Sequence, residues 1–145
     1  MLDNIDMFRF VPSKEMKINI LEEQKEELCT KETIIIACLS DGVMAFDIYL
    51  QDKIIGFAMF SNWEPHNYFL WNYAIDMYYQ NKGYGSKALL ELFTLMKNEY
   101  DAKEISTTYI YGNEHAKHVY EKVGFVETDV IDEPDCHEVN MLIKL

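Results

Sequence analysis

Apolar positions change their period several times along the chain, and each change marks an element. Residues 7–11 (MFRFV) are a short aromatic-rich run that predicts a first strand, with Pro12 closing it. Over residues 13–29, Ile18, Leu21 and Leu28 recur at helical spacing, while Glu22, Glu23, Glu26 and Glu27 take the other side. That pattern predicts an amphipathic helix with Ser13 as its N-cap and Met16 in its first turn. A second, shorter helix is predicted over Glu32–Leu39, stopped by Ser40-Asp41-Gly42.

Period two follows. Val43–Leu50 and Lys53–Phe60 alternate as strands do, and only Gln51-Asp52 separates them, so a tight hairpin is expected. Residues 61–66, with Pro65, read as a turn. Tyr68–Met77 (YFLWNYAIDM) is aromatic-rich and largely apolar, which suits a buried central strand. After a glycine-containing loop at Gln80–Gly85, Leu89, Leu92, Phe93 and Met96 give an apolar face to a helix over Ser86–Lys97. Ile105–Tyr111 predicts a strand, and Asn113–Val123 a helix capped by Asn113 and stopped by Gly124. Phe125–Ile131 and Glu138–Leu145 predict a final strand pair joined by an acidic turn. Strand, helix and strand succeed one another over residues 68–111, so those two strands should be parallel. The expected fold is α/β (α+β): one domain over residues 1–145, with a mixed sheet and helices on both faces.

Composition narrows the class. A chain of 145 residues with 49% hydrophobic and 26% charged residues supports an ordinary core, and excludes a disordered tail, collagen and a coiled coil. No apolar run approaches the roughly 20 residues of a membrane span. The start, MLDNIDMFRF, lacks the basic and apolar regions of a signal peptide. Net charge is −12 and Arg9 is the one arginine, which argues against a nucleic-acid partner and favours cationic ones. Solubility alone accounts for the same acidity. Cys29, Cys38 and Cys136 form no CxxC pair and no zinc pattern, so they read as free, reduced thiols of a cytoplasmic protein.

The chemistry-bearing stretch is Gln80-Asn81-Lys82-Gly83-Tyr84-Gly85-Ser86, between the central strand and the amphipathic helix. Gly83 and Gly85 let the backbone approach a ligand, and the amides of a helix N-terminus suit a phosphate or pyrophosphate. A strand-to-helix turn that needs glycine only for its geometry accounts for the same spacing. The stretch is neither GxGxxG nor a P-loop.

A second block, Asn113-Glu114-His115-Ala116 running on to Tyr120-Glu121-Lys122-Val123-Gly124-Phe125, adds to it. Together the two blocks resemble the GNAT superfamily of acyl-CoA-dependent N-acetyltransferases. That family carries (Gln/Arg)-x-x-Gly-x-(Gly/Ala) after its fourth strand and Asn-x-x-Ala-x-x-x-Tyr-x-Lys-x-Gly-Phe after its fifth. Both patterns are matched without a gap, at Gln80–Gly85 and Asn113–Phe125. The stretch IDMYYQNKGYG is more particularly similar to bacterial small-amine and polyamine acetyltransferases.

The resemblance implies a mostly antiparallel sheet of roughly six to seven strands with one central parallel pair, flanked by helices. It implies acetyl-CoA as co-substrate and no metal. Gln80 and the amides of Lys82, Gly83, Tyr84, Gly85 and Ser86 would hold the pyrophosphate, with Lys122 among the lysines near it. Backbone groups of Ile75 and Met77 would pair with the pantetheine arm, the amide near Ile75 facing the thioester oxygen. Asn113 would touch the arm from the facing loop, and Tyr120 would be the general acid. The fourth and fifth strands would splay to open a slot.

A general base has no obvious residue. Many family members carry Glu early in the fourth strand, where this chain has Tyr68–Trp71. A water relay or an amine arriving neutral would serve instead. His115 and His118 fill no catalytic position of the family pattern. Asp76 reads as a structural acceptor, and Asn72 and Tyr73 as supporting groups. The leading expectation is acetylation of a small cationic amine such as a polyamine, steered by acids at Glu22, Glu23, Glu26, Glu27 and Glu64 and from Glu127 through Asp135. Acetylation of a protein N-terminus or lysine, and a non-catalytic acyl-CoA-binding regulatory module, are the alternatives. A homodimer stays open.

Overall fold

Two-residue turns and two crossover helices set the strand order. In a computed structural model, residues 7–25 and 28–145 are described. The elements are β1 (Phe8–Ser13), α1 (Lys31–Ala37), β2 (Val43–Leu50), β3 (Lys53–Glu64), β4 (Asn67–Ile75), α2 (Tyr84–Glu99), β5 (Glu104–Ile110), α3 (Glu114–Val123), β6 (Val126–Glu133) and β7 (Cys136–Lys144). They build one seven-stranded sheet in the order β1-β2-β3-β4-β5-β7-β6. Every neighbouring pair is antiparallel except β4 and β5, as a helical crossover between them requires.

Each sheet face has its own core. Phe46, Ile48, Phe60, Leu70, Ile105 and Met141 pack beneath α2 and α3 with Leu89, Leu92 and Phe93. On the other face Phe57, Met59 and Ala74 meet Met16, Ile18 and Ile34.

The structure corrects the helix expected over residues 13–29. Among its described residues only Glu22–Gln24 form a 3₁₀ turn; Glu26 and Glu27 lie outside the described residues, as does the start, residues 1–6. Met16 and Ile18 are buried while Lys17 and Asn19 are exposed, a period of two. The segment runs extended because sheet-face groups claim it. Lys17 Nζ lies 2.7 Å from Asp47 Oδ2. The Asn19 amide donates to Asp76 Oδ1 at 2.9 Å. These contacts outweigh a helical preference that summed propensity makes weak.

Two further boundaries move. Strand β3 continues through residues 61–64, leaving Pro65 and His66 as the turn, with His66 at φ 70°. Pro12 does not close β1 but lies within it, which is tolerated because β1 is an edge strand. Both ends of α3 come out as expected. Asn113 Oδ1 accepts from the Ala116 amide at 3.1 Å, and Gly124 ends α3 at φ 113°.

Candidate active site

The site begins with a fault in β4. Across the β3–β4 ladder Met59 faces Asn72 and Phe60 faces Leu70, so Trp71 is an extra residue, a β-bulge. Before the bulge, the carbonyls of Tyr68 and Leu70 accept from Ser106 Oγ (3.5 Å) and Thr107 Oγ1 (3.0 Å) of β5. After it, the Asp76 amide donates to the Ile55 carbonyl at 2.7 Å. Hydrogen-bonded pairs alternate along an antiparallel ladder, so Tyr73 and Ile75 turn their backbone groups away from β3, toward β5. But β5 is no longer there. The parallel pairing joins Asn67–Leu70 to Glu104–Thr107 and stops, while β4 runs on to Ile75 and β5 to Ile110. The strands splay, and the gap is a cleft of about 290 Å³.

Both helices that follow the parallel strands begin beside this cleft. Gly83 caps α2 from the left-handed region, at φ 81°. The first amides of the helix, at Tyr84, Gly85 and Ser86, have no carbonyl a turn before them. The sum of the helix dipole and these donors favours an anion. Among the described residues, a Cβ at Gly83 would meet nothing within 4 Å, and one at Gly85 only Ile75 Cγ1 at 3.8 Å, so this side of the turn is open for close approach. Tyr73 fixes the turn against β4 by donating to the Gly85 carbonyl at 2.6 Å. Burial pushes the Tyr73 phenol far up from its usual pKa, and the neighbouring Tyr120 adds to the shift.

On the opposite wall α3 brings in Asn113 at its start and Tyr120 two turns later. The Tyr120 ring meets Phe125 edge-on, with centroids 5.5 Å apart, and Phe125 in turn meets Phe93 at 5.6 Å. The Phe125 amide donates to the Tyr120 carbonyl at 3.0 Å. The Gly-Phe pair at the end of the second block therefore sets the position of the tyrosine. His115 also lines the cleft; His118 does not.

Of the residues singled out from sequence, Ile75, Gln80, Gly85, Asn113 and Tyr120 line the cleft together. Gly83, Tyr84 and Ser86 belong to the adjoining turn. Lys82 is exposed beside it, and Lys122 lies in the last turn of α3, away from the Asn113 end. The Met77 amide donates to the Asn19 carbonyl at 2.7 Å. The Ile75 carbonyl likewise accepts from Gln80 Nε2 at 2.9 Å, which leaves the Ile75 amide as the group of that pair facing the gap. Gln80 Nε2 also reaches Gln24 Oε1 at 2.9 Å, so this side chain braces the loop. Asp76 accepts from the amides of Asn19 and Tyr78, at 2.9 and 3.1 Å, as a structural acceptor does. Asn72 accepts from the Cys29 amide at 2.9 Å on the far face of the sheet.

The profile of the acetyltransferase (GNAT) family matches residues 10–125. This chain belongs to that family. A probable spermine N(1)-acetyltransferase of Bacillus subtilis subsp. natto is 31% identical over 85 residues, 54% of this chain and 56% of that protein. A spermine/spermidine N(1)-acetyltransferase of Bacillus subtilis (strain 168) matches to the same extent. The chain thus spans about half the length of the curated relatives it matches. A GNAT family acetyltransferase from Elizabethkingia anophelis, solved with acetyl-CoA bound, superposes with a TM-score of 0.72 at 19% identity, over 97% of this chain and 100% of that one. A dodecameric spermidine N-acetyltransferase from Vibrio cholerae gives 0.64 at 18% identity, over 78% of this chain and 71% of that one. At such identities the likeness is one of fold.

Within this GNAT chain some cleft residues had no signal in the sequence. Gln24, at the end of the short 3₁₀ turn, and Leu28 both line it. Trp71 reaches it as the bulge residue. Glu138 arrives from β7, which joins β5 although it lies far along the chain.

Proposed function

We propose that this chain is an acetyl-CoA-dependent N-acetyltransferase acting on a small cationic amine of the polyamine class. The observation that carries the reading is the cleft between β4 and β5, with an open helix N-terminus at Gly83–Ser86 on one wall and Tyr120 on the other. The two relatives that are spermine or spermidine acetyltransferases support the substrate class, as does the net charge of −12.

The residues present fit a CoA. The glycine turn is open where a Cβ would stand, and the first amides of α2, without carbonyl partners a turn earlier, suit a pyrophosphate. Ile75 offers an amide where a pantetheine arm would lie as an added strand, and the same donor suits an oxyanion. When bound, the acetyl thioester supplies an acyl carbonyl that an amine can attack directly. Attack by the neutral amine would form the N–C bond and loss of the thiolate would then break the C–S bond; Tyr120 Oη would hold the proton that the departing sulfur takes, the amine nitrogen would give up one proton to water, and Tyr120 would regain its own from water. The walls hold both reactants in one cleft, and that proximity replaces covalent catalysis.

The test is an acetylation panel. Free CoA is measured with spermidine, spermine, a neutral amine and an N-terminal peptide. We expect turnover with the polyamines, falling as salt screens the acidic surface and rising above neutral pH as the bound amine loses its proton. A preference for the peptide or the neutral amine over every polyamine overturns the substrate class.

A further inference from the structure

The cleft passes through the sheet. On β7, Val139 and Met141 are buried in the core beneath α2 and α3. Side chains alternate along a strand, so Glu138 stands on the other face, beside its cross-strand partner Ile110. There it lines the same cleft that Tyr120 and Gly85 line from the helix side. Among the described residues lining the cleft, Glu138 is the one carboxylate, and no lysine or arginine joins it. It makes no ion pair among the described residues; its polar neighbour is the Cys136 thiol, two residues away on the same face. A carboxylate that lines a cleft without a paired cation complements a cationic ligand. Beside Glu138, Trp71 and Ile110 are 40% and 41% exposed, large apolar surfaces that the fold leaves uncovered at the mouth. A negative charge behind an aromatic and an aliphatic wall suits a cation carried on methylenes.

We propose that Glu138 is a specificity-determining residue, which holds the non-reacting ammonium of the acceptor while Trp71 and Ile110 cover its methylenes. The proposal rests on the amine acetyltransferase reading. It asks for an acceptor with two charges: one amine that gives up its proton and attacks, and one that stays protonated against Glu138.

The experiment compares 1,4-diaminobutane with n-butylamine, which differ by one ammonium, in the full chain and in Glu138→Gln, with Glu138→Asp as the conservative control. The wild type should prefer the diamine. In Glu138→Gln that preference should fall about tenfold or more through KM for the amine, with kcat and KM for acetyl-CoA within about twofold. Glu138→Asp should retain part of the preference. Thermal unfolding of both variants near wild type would show that the fold is kept. An unchanged diamine preference in a folded Glu138→Gln overturns the proposal while leaving the acetyltransferase reading intact. A fall in kcat at constant KM, with a lost pH dependence, also overturns it and makes Glu138 the general base. A wild type that acetylates no amine overturns both.

Discussion

The hydroxyl of Tyr73 donates a 2.6 Å hydrogen bond to the carbonyl of Gly85, tying the free end of β4 to the first turn of α2. This bond crosses from the strand that supplies the Ile75 amide to the turn that supplies the helix amides. It sets their spacing, and burial favours the protonated phenol that donates it. Tyr73→Phe keeps the ring and removes the donor. It should cost about 1 kcal/mol of stability and lower Tm by a few degrees, roughly 2–6 °C. Calorimetry should show acetyl-CoA binding weakened several-fold, roughly 3–10-fold, by the loosened turn.

Tyr120→Phe tests the proton. The edge-on contact with Phe125 depends on the ring and is retained, so the variant should still fold. Turnover should drop by about one to three orders of magnitude with unchanged acetyl-CoA affinity. Steady-state rates under conditions where chemistry limits, paired with calorimetry, read both quantities. An undiminished rate would remove Tyr120 from the mechanism.

Three glycines separate ligand approach from folding. Among the described residues the one neighbour of a new Cβ at Gly85 is Ile75 Cγ1 at 3.8 Å, so Gly85→Val should fold and yet lose acetyl-CoA binding. Gly83 sits at φ 81°, so Gly83→Val adds backbone strain to the same block. Gly124 is different: at φ 113° a Cβ would lie 3.0 Å from Ile143 Cδ1. Gly124→Ala should lower Tm, since strain of about 1–3 kcal/mol joins the overlap. Melting curves beside binding isotherms distinguish the three.

Lys17 and Asp47 hold the corrected N-terminal segment to the sheet. Asp47 is 3% exposed, and Lys17 Nζ lies 2.7 Å from its Oδ2. Removing the cation in Lys17→Met strands a buried carboxylate, at a cost of roughly 3 kcal/mol. Urea denaturation should show that loss, with the activity of the remaining folded protein unchanged. A cost below about 0.5 kcal/mol would place the pair among ordinary surface ion pairs.

Tyr109 gives the chain an alkaline limit. Burial, then its 2.8 Å hydrogen bond to Glu127 and that group's charge, push the phenol up to about 12. The folded pKa is above the unfolded one, so the stabilisation is complete below the unfolded value near 10 and is lost as pH rises through about 12. Tyr73 shifts in the same direction. Wild-type stability should therefore fall between these values. In Tyr109→Phe the fall should be shallower, as denaturant titrations at successive pH values would show.

The sequence by itself determined the elements whose signals are local. Asn113 and Gly124 bound α3 because capping is decided within a few residues of backbone. Gln51-Asp52 makes its hairpin, and the crossover from β4 to β5 through α2 forces a parallel pair, by chain geometry alone. The glycine turn and Tyr120 were likewise readable, since both lie in contiguous blocks. Tertiary structure decided the rest. Residues 13–25 carry Ile18 and Leu21 at helical spacing, but Met16 and Ile18 also fit a period of two, and only the uncovered sheet face chose between them. The bulge at Trp71 is a matter of register between two strands, which no single strand encodes. Glu138 lies 18 residues beyond Tyr120 in sequence and reaches the same cleft because β7, not β6, pairs with β5. Periodicity reports which side a residue takes within its own element; which element lies across from it is fixed only when the sheet closes around its core.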